Sequence, residues 1–385
     1  MAYFSVSQKG RIARSLLLRR TPVYVQYYVT ARCNMACRHC NINRANADMP
    51  EIGLAEIRRL AANLRAIGTT IVLLIGGEPF MRDDLAEIVR AFAAVGIHVR
   101  LQTNGAATRQ RLAECVAAGA KDISISLDTL DPRKQEANNG GFEGSFEAAI
   151  RAAADVNAVF PENATAFFGA VLMPDTYMDV PDVIRFATAI GWGVSLVPVH
   201  VAEPGMRPNF RCRDQRFRFA RSSHEEVKRV IDECRRLRDA GCGLYDSDPY
   251  LDDVVRFIAG EPVQWRRRNA GVCDSPALYF AIAPDGNLAP CCDYRLPRPM
   301  PVYDPQFPDW FRERKVHREV APFTRACPGC MYGSYPEMTV SARFLGPMLR
   351  RALFFSGRRP RLKKLSCEEM LRLAATIRER PNDTL

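Results

Sequence analysis

Three cysteines lie within eight residues of the sequence, in the stretch ARCNMACRHC, with the spacing C-x3-C-x2-C. Thiolates at Cys33, Cys37 and Cys40 suit either an iron–sulfur cluster or zinc. A four-iron cluster held by only three cysteines keeps one iron open, and a small molecule can chelate that iron. Structural zinc would need a fourth ligand, and His39 adjoins Cys40 too closely to complete the same tetrahedron. This trio therefore predicts an iron–sulfur cluster with an open coordination position.

Six short apolar runs alternate with longer amphipathic segments, and they predict the elements that carry the trio. The runs are residues 23–30, 71–77, 97–105, 123–129, 166–172 and 193–199. The intervening segments with helical periodicity are residues 52–67, 82–95, 108–118, 143–157 and 178–190. Near-continuous apolar strands that alternate with helices indicate a parallel sheet covered by helices. Six such units, rather than eight, predict an α/β fold with a partial (β/α)6 TIM-like barrel.

Four motifs follow the first four predicted strands. The trio begins three residues after the first strand, and GGEP, TNG and SLDT close the second, third and fourth strands. In parallel α/β folds, ligands bind at the carboxyl ends of the strands, where the connecting loops begin. The four motifs are therefore expected to converge on one rim of the barrel.

In this context the trio resembles that of radical S-adenosylmethionine (SAM) enzymes, and the resemblance covers about residues 22 to 200. It implies that Cys33, Cys37 and Cys40 bind a [4Fe-4S] cluster whose open iron is chelated by the amino and carboxylate groups of SAM. It also implies that an electron from the cluster cleaves SAM to methionine and a 5'-deoxyadenosyl radical.

The same resemblance implies which residues contact SAM. They are Gly76, Gly77, Glu78, Pro79, Asn104, Ser126 and Asp128. The GGEP residues match the motif that contacts the SAM amino group, and Ser126 and Asp128 match a region near the methionine moiety and ribose. A turn role is the alternative for Asp128. Many members carry an arginine about twelve residues beyond this serine, where it pairs with the SAM carboxylate. Asn138 and Asn139 stand there, so that contact is neutral, comes from elsewhere or is missing.

A second cysteine set resembles the auxiliary-cluster domain called Twitch, a shortened relative of the SPASM domain. Its members are Cys273, Cys291, Cys327 and Cys330. A strand, a turn at Asp285 and Gly286, and a return strand would bring the first two cysteines together. The resemblance implies one auxiliary [4Fe-4S] cluster with no open site; structural zinc is the alternative. Cys292 is the alternative to Cys291 as a ligand.

The net charge of +11 is confined to the two ends of the chain. Residues 23–340 carry 38 basic and 39 acidic side chains. Residues 344–355 have the pattern of a basic amphipathic helix, which either lies on an anionic membrane or docks on the protein with its arginines in solvent. We do not expect nucleic acid to be the partner, although the isoelectric point of 9.1 motivates that alternative. The first residues lack a signal-peptide pattern, and no apolar run is long enough to span a membrane, so a cytoplasmic protein is expected.

These observations predict five segments with separate roles. They are a basic extension (1–22), the partial barrel (23–200), an arginine-rich bridging insertion (201–270), the auxiliary-cluster domain (271–340) and a basic amphipathic extension (341–385). Only 32 residues precede Cys33, which favours a small-molecule or lipid- or carrier-linked substrate over a peptide. The expected reaction is oxidative, with the auxiliary cluster as electron acceptor and a flavodoxin or ferredoxin as electron donor. A peptide maturase and a redox-neutral epimerase, lyase or bond-forming enzyme are the alternatives. The candidate catalytic groups, chosen by position, are Glu203, Asp293, Tyr294 and Glu337.

Overall fold

An open eight-stranded sheet organises the chain in the computed structural model, which describes residues 3–42, 46, 48–205, 210–266, 273–355 and 361–379. The strands are β1 (Tyr24–Tyr28), β2 (Ile71–Ile75), β3 (His98–Thr103), β4 (Ala120–Ser126), β5 (Thr165–Leu172), β6 (Gly193–Pro198), β7 (Tyr279–Ile282) and β8 (Leu288–Ala289). Their order is β6-β5-β4-β3-β2-β1-β7-β8. All neighbours pair in parallel except β7 and β8, which are antiparallel. The predicted partial TIM-like barrel is confirmed.

Helices cover the outer face of the sheet and flank its two ends. They are α1 (Val6–Leu18), α2 (Leu54–Ala66), α3 (Leu85–Ala94), α4 (Arg109–Ala118), α5 (Pro132–Asn138), α6 (Ser145–Val159), α7 (Val180–Ile190), α8 (His224–Asp239), α9 (Asp248–Ile258), α10 (Phe307–Arg312), α11 (Lys315–Ala326), α12 (Ser334–Arg343), α13 (Leu345–Phe355) and α14 (Cys367–Arg378). Within the described ranges, none of them is long and apolar enough to cross a membrane.

Alternating side chains divide each strand between a dry outer core and the inside of the barrel. Outward-facing Val25, Val72 and Val99 are fully buried in the main core beneath the helices. Inward-facing Gln102 and Ser126 are only half-buried because they line open space. The period of two in a β-strand thus places apolar bulk outside and leaves polar groups free to meet a ligand inside.

The second cysteine region shares the core of the barrel and has strands of its own in the barrel sheet. Strand β7 pairs with β1 in the register Tyr24↔Tyr279, and β8 returns beside β7 through the turn at Asp285 and Gly286. Gly286 adopts a φ of +75°, which a turn of this kind requires of glycine. Phe280 and Phe307 are completely buried in the same core as the barrel strands. Strand β7 pairs with β1 at the edge of the barrel sheet, so this region packs into the same core.

The arginines of the insertion have two different environments. Arg211 is only 4% exposed, and its Nε donates to Asp293 at 2.7 Å. Arg216 and Arg218 are exposed and pair with nearby carboxylates. Arg207 lies outside the described residues. Arg211 is therefore a buried structural cation, whereas its neighbours form an ordinary solvated face.

Candidate functional site

The three clustered cysteines open onto one cleft at the carboxyl ends of the barrel strands. Cys33, Cys37 and Cys40 are all half-buried and line a cleft of about 1100 Å³. Burial raises the pKa of the Cys37 thiol, and the neighbouring Cys40 and Cys33 raise it further. The three thiols therefore face one another and the open cleft, as a shared ligand set requires.

Two glycines of the second motif allow the cysteine loop to lie directly against the end of β2. A Cβ on Gly77 would lie 2.6 Å from the Ala31 carbonyl oxygen and closer still to that of Arg32. A Cβ on Gly76 would likewise collide with the Thr30 carbonyl oxygen. The backbone N–H of Gly77 donates to the Thr30 carbonyl at 2.9 Å. The glycines are required for this close backbone approach, irrespective of any contact with SAM.

Glu78 joins the cysteine loop to the end of β3. Its N–H donates to the Arg32 carbonyl at 2.8 Å. Its buried carboxylate accepts hydrogen bonds from Phe80 N–H at 3.0 Å, the Thr103 hydroxyl at 2.9 Å and Asn104 N–H at 2.7 Å. The Asn104 side chain then reaches the Cys33 sulfur at 3.7 Å. Internal donors occupy the Glu78 carboxylate, so this residue orders the rim around the cysteines.

Burial raises the pKa of Glu78 to about 7 from its ordinary value of 4.5, despite the opposing hydrogen bonds. Folded protein then holds a proton that unfolded protein releases, so the free energy of unfolding falls between pH 4.5 and 7. We expect this single group to account for about 3 kcal/mol of that fall. Glu78→Gln should remove this pH dependence. The free energy of unfolding of the variant, relative to that of wild type, should therefore rise by about 3 kcal/mol between pH 4.5 and 7. Chemical denaturation at several pH values measures it.

Glu56→Gln, at a half-buried surface position of α2, provides the matched control and should track wild type. Parallel pH profiles for wild type and Glu78→Gln would contradict the prediction, because they would mean that Glu78 ionises alike in the folded and unfolded chain.

Residues 138–140 stand where many members of the family have an arginine, and they contact the cysteine loop from the other side. Arg38 N–H donates to the Asn138 carbonyl at 3.0 Å, and the Cys37 thiol lies 3.5 Å from the Asn139 side-chain oxygen. A Cβ on Gly140, whose φ is +84°, would lie 2.8 Å from the Ala36 carbonyl carbon. Asn139 also lines the cleft. This geometry favours a neutral contact at the position where many members have arginine.

Lysine and arginine do not occur among the described residues that line the cleft. His39 and His200 do line it, and burial lowers the pKa of His39 to about 4 and that of His200 well below its usual value. Both imidazoles are therefore neutral at physiological pH. A ligand carboxylate in this cleft would be held by neutral donors and by a cluster iron.

Ser126 and Asp128 both line the cleft, as the resemblance implies. Asp128 is only 2% exposed, and its carboxylate accepts the Val171 N–H at 2.8 Å. Burial raises the pKa of Asp128 to about 7. Asp128 thus links the end of β4 to β5. It therefore has the structural role that was the alternative to SAM binding, and it also borders the cleft.

Three residues of the cleft wall were missed by sequence reasoning because they come from distant parts of the chain. They are His200, Phe210 and Tyr332. The rings of His200 and Tyr332 stack with centroids 3.9 Å apart, and His200 Nε2 accepts the Met331 N–H at 2.8 Å. In the sequence, His200 is marked only by its position just after the sixth strand, and Tyr332 only by its position just after the CPGC motif.

The second cysteine set also converges. Burial raises the pKa of the Cys291 thiol, and its neighbours, which include Cys330 and Cys327, raise it further. Burial raises the pKa of Cys273 to about 11, and Cys327 contributes to the increase. The thiol of Cys292 instead donates to the Gln26 side-chain oxygen at 3.1 Å inside the barrel. This arrangement favours Cys291 as the fourth ligand and leaves Cys292 outside the set.

A buried arginine without a carboxylate partner adjoins this set. Arg266 is 8% exposed and has no salt bridge with any described residue; its guanidinium donates to the carbonyls of Cys327 at 3.0 Å and Thr324 at 3.5 Å. Its Nε has no hydrogen-bond partner among the described residues. A buried charge is costly unless it is compensated. Four thiolates around an iron–sulfur cluster would supply that compensation, so the residues fit an anionic auxiliary cluster.

Neither set has the geometry of a preformed zinc site. In the parts of the chain that the structure describes, no three His, Cys, Asp or Glu side chains converge tightly enough for a single metal ion. Zinc holds sulfur ligands at about 2.3 Å, which demands such tight convergence.

The four candidate catalytic groups do not line the cleft. Glu203 is exposed and pairs with Arg218 at 3.0 Å. Asp293 is buried between Arg211 and the Tyr332 hydroxyl, both at 2.7 Å. The ring of Tyr294 lies against Phe323, and the buried Glu337 accepts the Ser247 N–H at 2.7 Å. Each has a structural contact, and their catalytic roles stay predictions.

Comparison with known families identifies the barrel. Residues 27–187 match the model of the radical SAM superfamily. This segment is a radical SAM domain. The matched segment carries the cysteine trio and the GGEP motif, and the chain belongs with enzymes.

Curated relatives align with part of the chain. The GTP 3',8-cyclase of Synechococcus elongatus is 40% identical over 134 residues, which is 34% of this chain and 40% of the relative. The AdoMet-dependent heme synthase of Methanosarcina barkeri is 30% identical over 137 residues, 35% of this chain and 39% of the relative. The alignments span less than half the length of these relatives. They therefore do not identify the substrate of this chain.

Solved structures resemble this chain over more than that domain. Streptococcus suis SuiB bound to its precursor peptide SuiA has a TM-score of 0.60 at 14% identity, covering 81% of this chain and 69% of SuiB. Native anSMEcpe with bound AdoMet and a Cp18Cys peptide has a TM-score of 0.58 at 14% identity, covering 86% of this chain and 99% of anSMEcpe. At this identity the likeness concerns the fold alone.

Proposed function

We propose that this radical SAM enzyme acts on a C–H bond of a small-molecule or lipid- or carrier-linked substrate, in an oxidative reaction. When bound, the cluster at Cys33, Cys37 and Cys40 and its SAM supply a 5'-deoxyadenosyl radical, and an auxiliary [4Fe-4S] cluster supplies an electron acceptor. The protein's own tasks are to hold both clusters, orient the substrate and exclude water.

A single observation carries this proposal. The three thiols of the trio face one cleft together with Gly77, Asn104 and Ser126, which come from the ends of three different strands. Such convergence at the carboxyl ends of barrel strands is where α/β barrels place their chemistry.

The auxiliary set supports the oxidative form of the proposal. Tyr332 stands between the two sites, because its ring lines the cleft and its hydroxyl donates to Asp293, which directly follows Cys291 and Cys292. A short, packed route of this kind suits removal of an electron from a substrate held in the cleft. The external electron donor stays a prediction of the flavodoxin or ferredoxin type.

Peptide maturation is the second candidate, because the two solved structures cited above contain bound peptides and share the fold. Their identity of 14% is too low to assign their peptide-binding residues to positions in this chain. A short peptide that accelerates SAM cleavage by this enzyme would favour this candidate over a small-molecule substrate.

The direct test is SAM cleavage by the anaerobically reconstituted, reduced protein. We expect 5'-deoxyadenosine and methionine in equal amounts, and a decrease of at least about 100-fold in Cys37→Ala, because loss of one thiolate removes the cluster that presents SAM. Cys367→Ala, at the start of α14 and outside the cleft, is the matched control and should keep wild-type activity. Absence of cleavage by a preparation with a full complement of iron would refute the proposal.

A further inference from the structure

Two further spaces inside and below the barrel follow the cleft, and each shares wall residues with the one before it. The first is a lumen, which shares Gln102, Ser126 and Tyr332 with the cleft. Beyond the lumen lies a partly open far chamber, whose walls include residues of α1, α12 and α13. Lumen and chamber share Tyr24 and Arg100. The three spaces therefore adjoin one another along the barrel axis.

The upper lumen has several polar side chains in a wall that is otherwise largely apolar. Gln102, Ser124, Ser126 and Ser195 all point inward from β3, β4 and β6 and are half-buried. Hydroxyl and amide groups can donate and accept hydrogen bonds, so this zone suits a neutral polar group with several oxygens or nitrogens.

Two arginines stand at the junction of lumen and chamber. The Arg100 Nε lies 3.5 Å from an Asp122 oxygen and has no hydrogen-bond partner among the described residues. Arg351 donates to the Ser341 hydroxyl at 2.9 Å, lies 3.7 Å from Glu337 and covers the Tyr245 ring. Both ion-pair separations exceed the 2.7–2.9 Å of a strong charge-assisted bond. Each guanidinium has five N–H donors and therefore keeps capacity for an anion.

The far chamber is largely apolar. Its walls include Ile12 and Leu16 of α1, Met338 of α12 and Met348 of α13. Methionine side chains are flexible and fit hydrocarbon of varied shape. Lys9 is the remaining cation of the chamber wall and comes from the exposed side of α1.

We propose that the barrel binds a lipid-linked substrate lengthwise. The hydrocarbon chain occupies the far chamber, the anionic group lies between Arg100 and Arg351, and the polar head fills the upper lumen and faces the cysteines. The order of the three zones matches the order of the three parts of such a molecule. This inference names a substrate class for the proposed function. The reaction at the polar head rests on that function, whereas binding of the lipid does not.

The dimensions agree with this arrangement. Tyr24 borders the chamber and Tyr28, four residues further along β1, lines the lumen towards the cysteine loop. Four residues of strand span about 13 Å. A polar head of one or two sugar-sized rings therefore reaches from the arginines to the rim.

The test uses alkyl phosphates as probes, below their micelle concentrations, with binding measured by calorimetry on the reconstituted protein without reductant. Affinity should rise about fourfold for each methylene between butyl and dodecyl phosphate, because each methylene leaves water for the apolar chamber. Uncharged dodecyl maltoside should bind at least about tenfold more weakly than dodecyl phosphate, because it lacks the charge-assisted bonds to the arginines.

Two pairs of variants separate the zones. Arg351→Gln should weaken all the phosphates at least about tenfold and keep the chain-length dependence, whereas its neighbour Arg350→Gln, which is exposed and outside the chamber wall, should leave binding unchanged. Ile12→Trp should flatten the chain-length dependence, whereas Leu17→Trp, 82% exposed on the same helix, should not. The retained dependence in Arg351→Gln also demonstrates that its chamber is folded.

Affinity that is independent of chain length, or equal loss in the variants and their controls, would overturn the inference. Binding only to anionic vesicles, and dependence of that binding on Leu17 and Arg350, would assign these helices to a membrane surface and would also overturn it. SAM cleavage by the same preparation is scored separately. Chain-dependent binding without cleavage would refute the proposed function alone, and cleavage without binding would refute this inference alone.

Discussion

Changing Cys33, Cys37 and Cys40 together to alanine is expected to lower the iron content after reconstitution from about eight to about four atoms per chain, because the second cysteine set holds its own four-iron cluster. The remaining cluster should give the EPR signal of a reduced cubane. SAM cleavage should be abolished, since the ligands of the open iron are gone. Iron and sulfide analysis with EPR measures the result.

The reciprocal variant, with Cys273, Cys291, Cys327 and Cys330 changed to alanine, should keep the other four irons. A trio variant that retained no iron and contained zinc would contradict the prediction. The protein would then be a single-cluster enzyme, and redox-neutral chemistry would replace the oxidative proposal.

Arg266→Met, introduced into the trio variant, tests whether the buried guanidinium stabilises the auxiliary cluster. Removal of the buried guanidinium should cost about half of the remaining iron, because the cluster loses its compensating charge. Arg256→Met, whose guanidinium lies on the exposed end of α9 beside Glu261, is the control.

Gly77→Ala should lower both the stability of the protein and the iron content of the trio. The new Cβ would lie 2.6 Å from the Ala31 carbonyl oxygen and closer to that of Arg32, and both oxygens belong to backbone that cannot rotate away. Overpacking of this kind typically costs about 1–3 kcal/mol, and we expect about 3 kcal/mol of stability to be lost. The cysteine loop must also shift, so the trio should retain less than about half of its iron.

Gly10→Ala is the control for Gly77→Ala. A Cβ on Gly10 meets no atom within 4 Å, and alanine suits its helix, so this variant should be slightly more stable than wild type. Thermal unfolding and iron analysis compare the two. Wild-type stability together with full iron content in Gly77→Ala would show that the loop tolerates displacement and would remove the packing explanation of the motif.

The strands and the rim could be predicted from the sequence because both depend on local pattern. All six apolar runs between residues 23 and 199 are strands, and the motifs at their ends meet in one cleft. Parallel strands in a β/α repeat bring all their carboxyl ends to one edge, whatever the details of packing. The close backbone approach that demands Gly76 and Gly77 was not predictable, because it depends on the path of the preceding loop.

The C-terminal third was predicted less well. Its cysteine spacing and its hairpin turn were visible in the sequence, but the pairing of β7 with β1 was not. That pairing joins residues about 250 positions apart and offers no local signal. The same reason hid His200 and Tyr332, which reach the cleft from opposite sides of the long insertion.

The sequence by itself determined the class of fold, the rim, and the three thiols that mark this radical SAM domain, because these follow from strand periodicity and from ligand spacing within single loops. Only the tertiary structure decided which side chains surround those thiols, why Arg266 lies buried beside the second cysteine set, and that Arg100 and Arg351 line the same space inside the barrel. The physical reason is that burial and charge compensation are properties of packed surfaces, and those surfaces form only when distant segments of the chain come together.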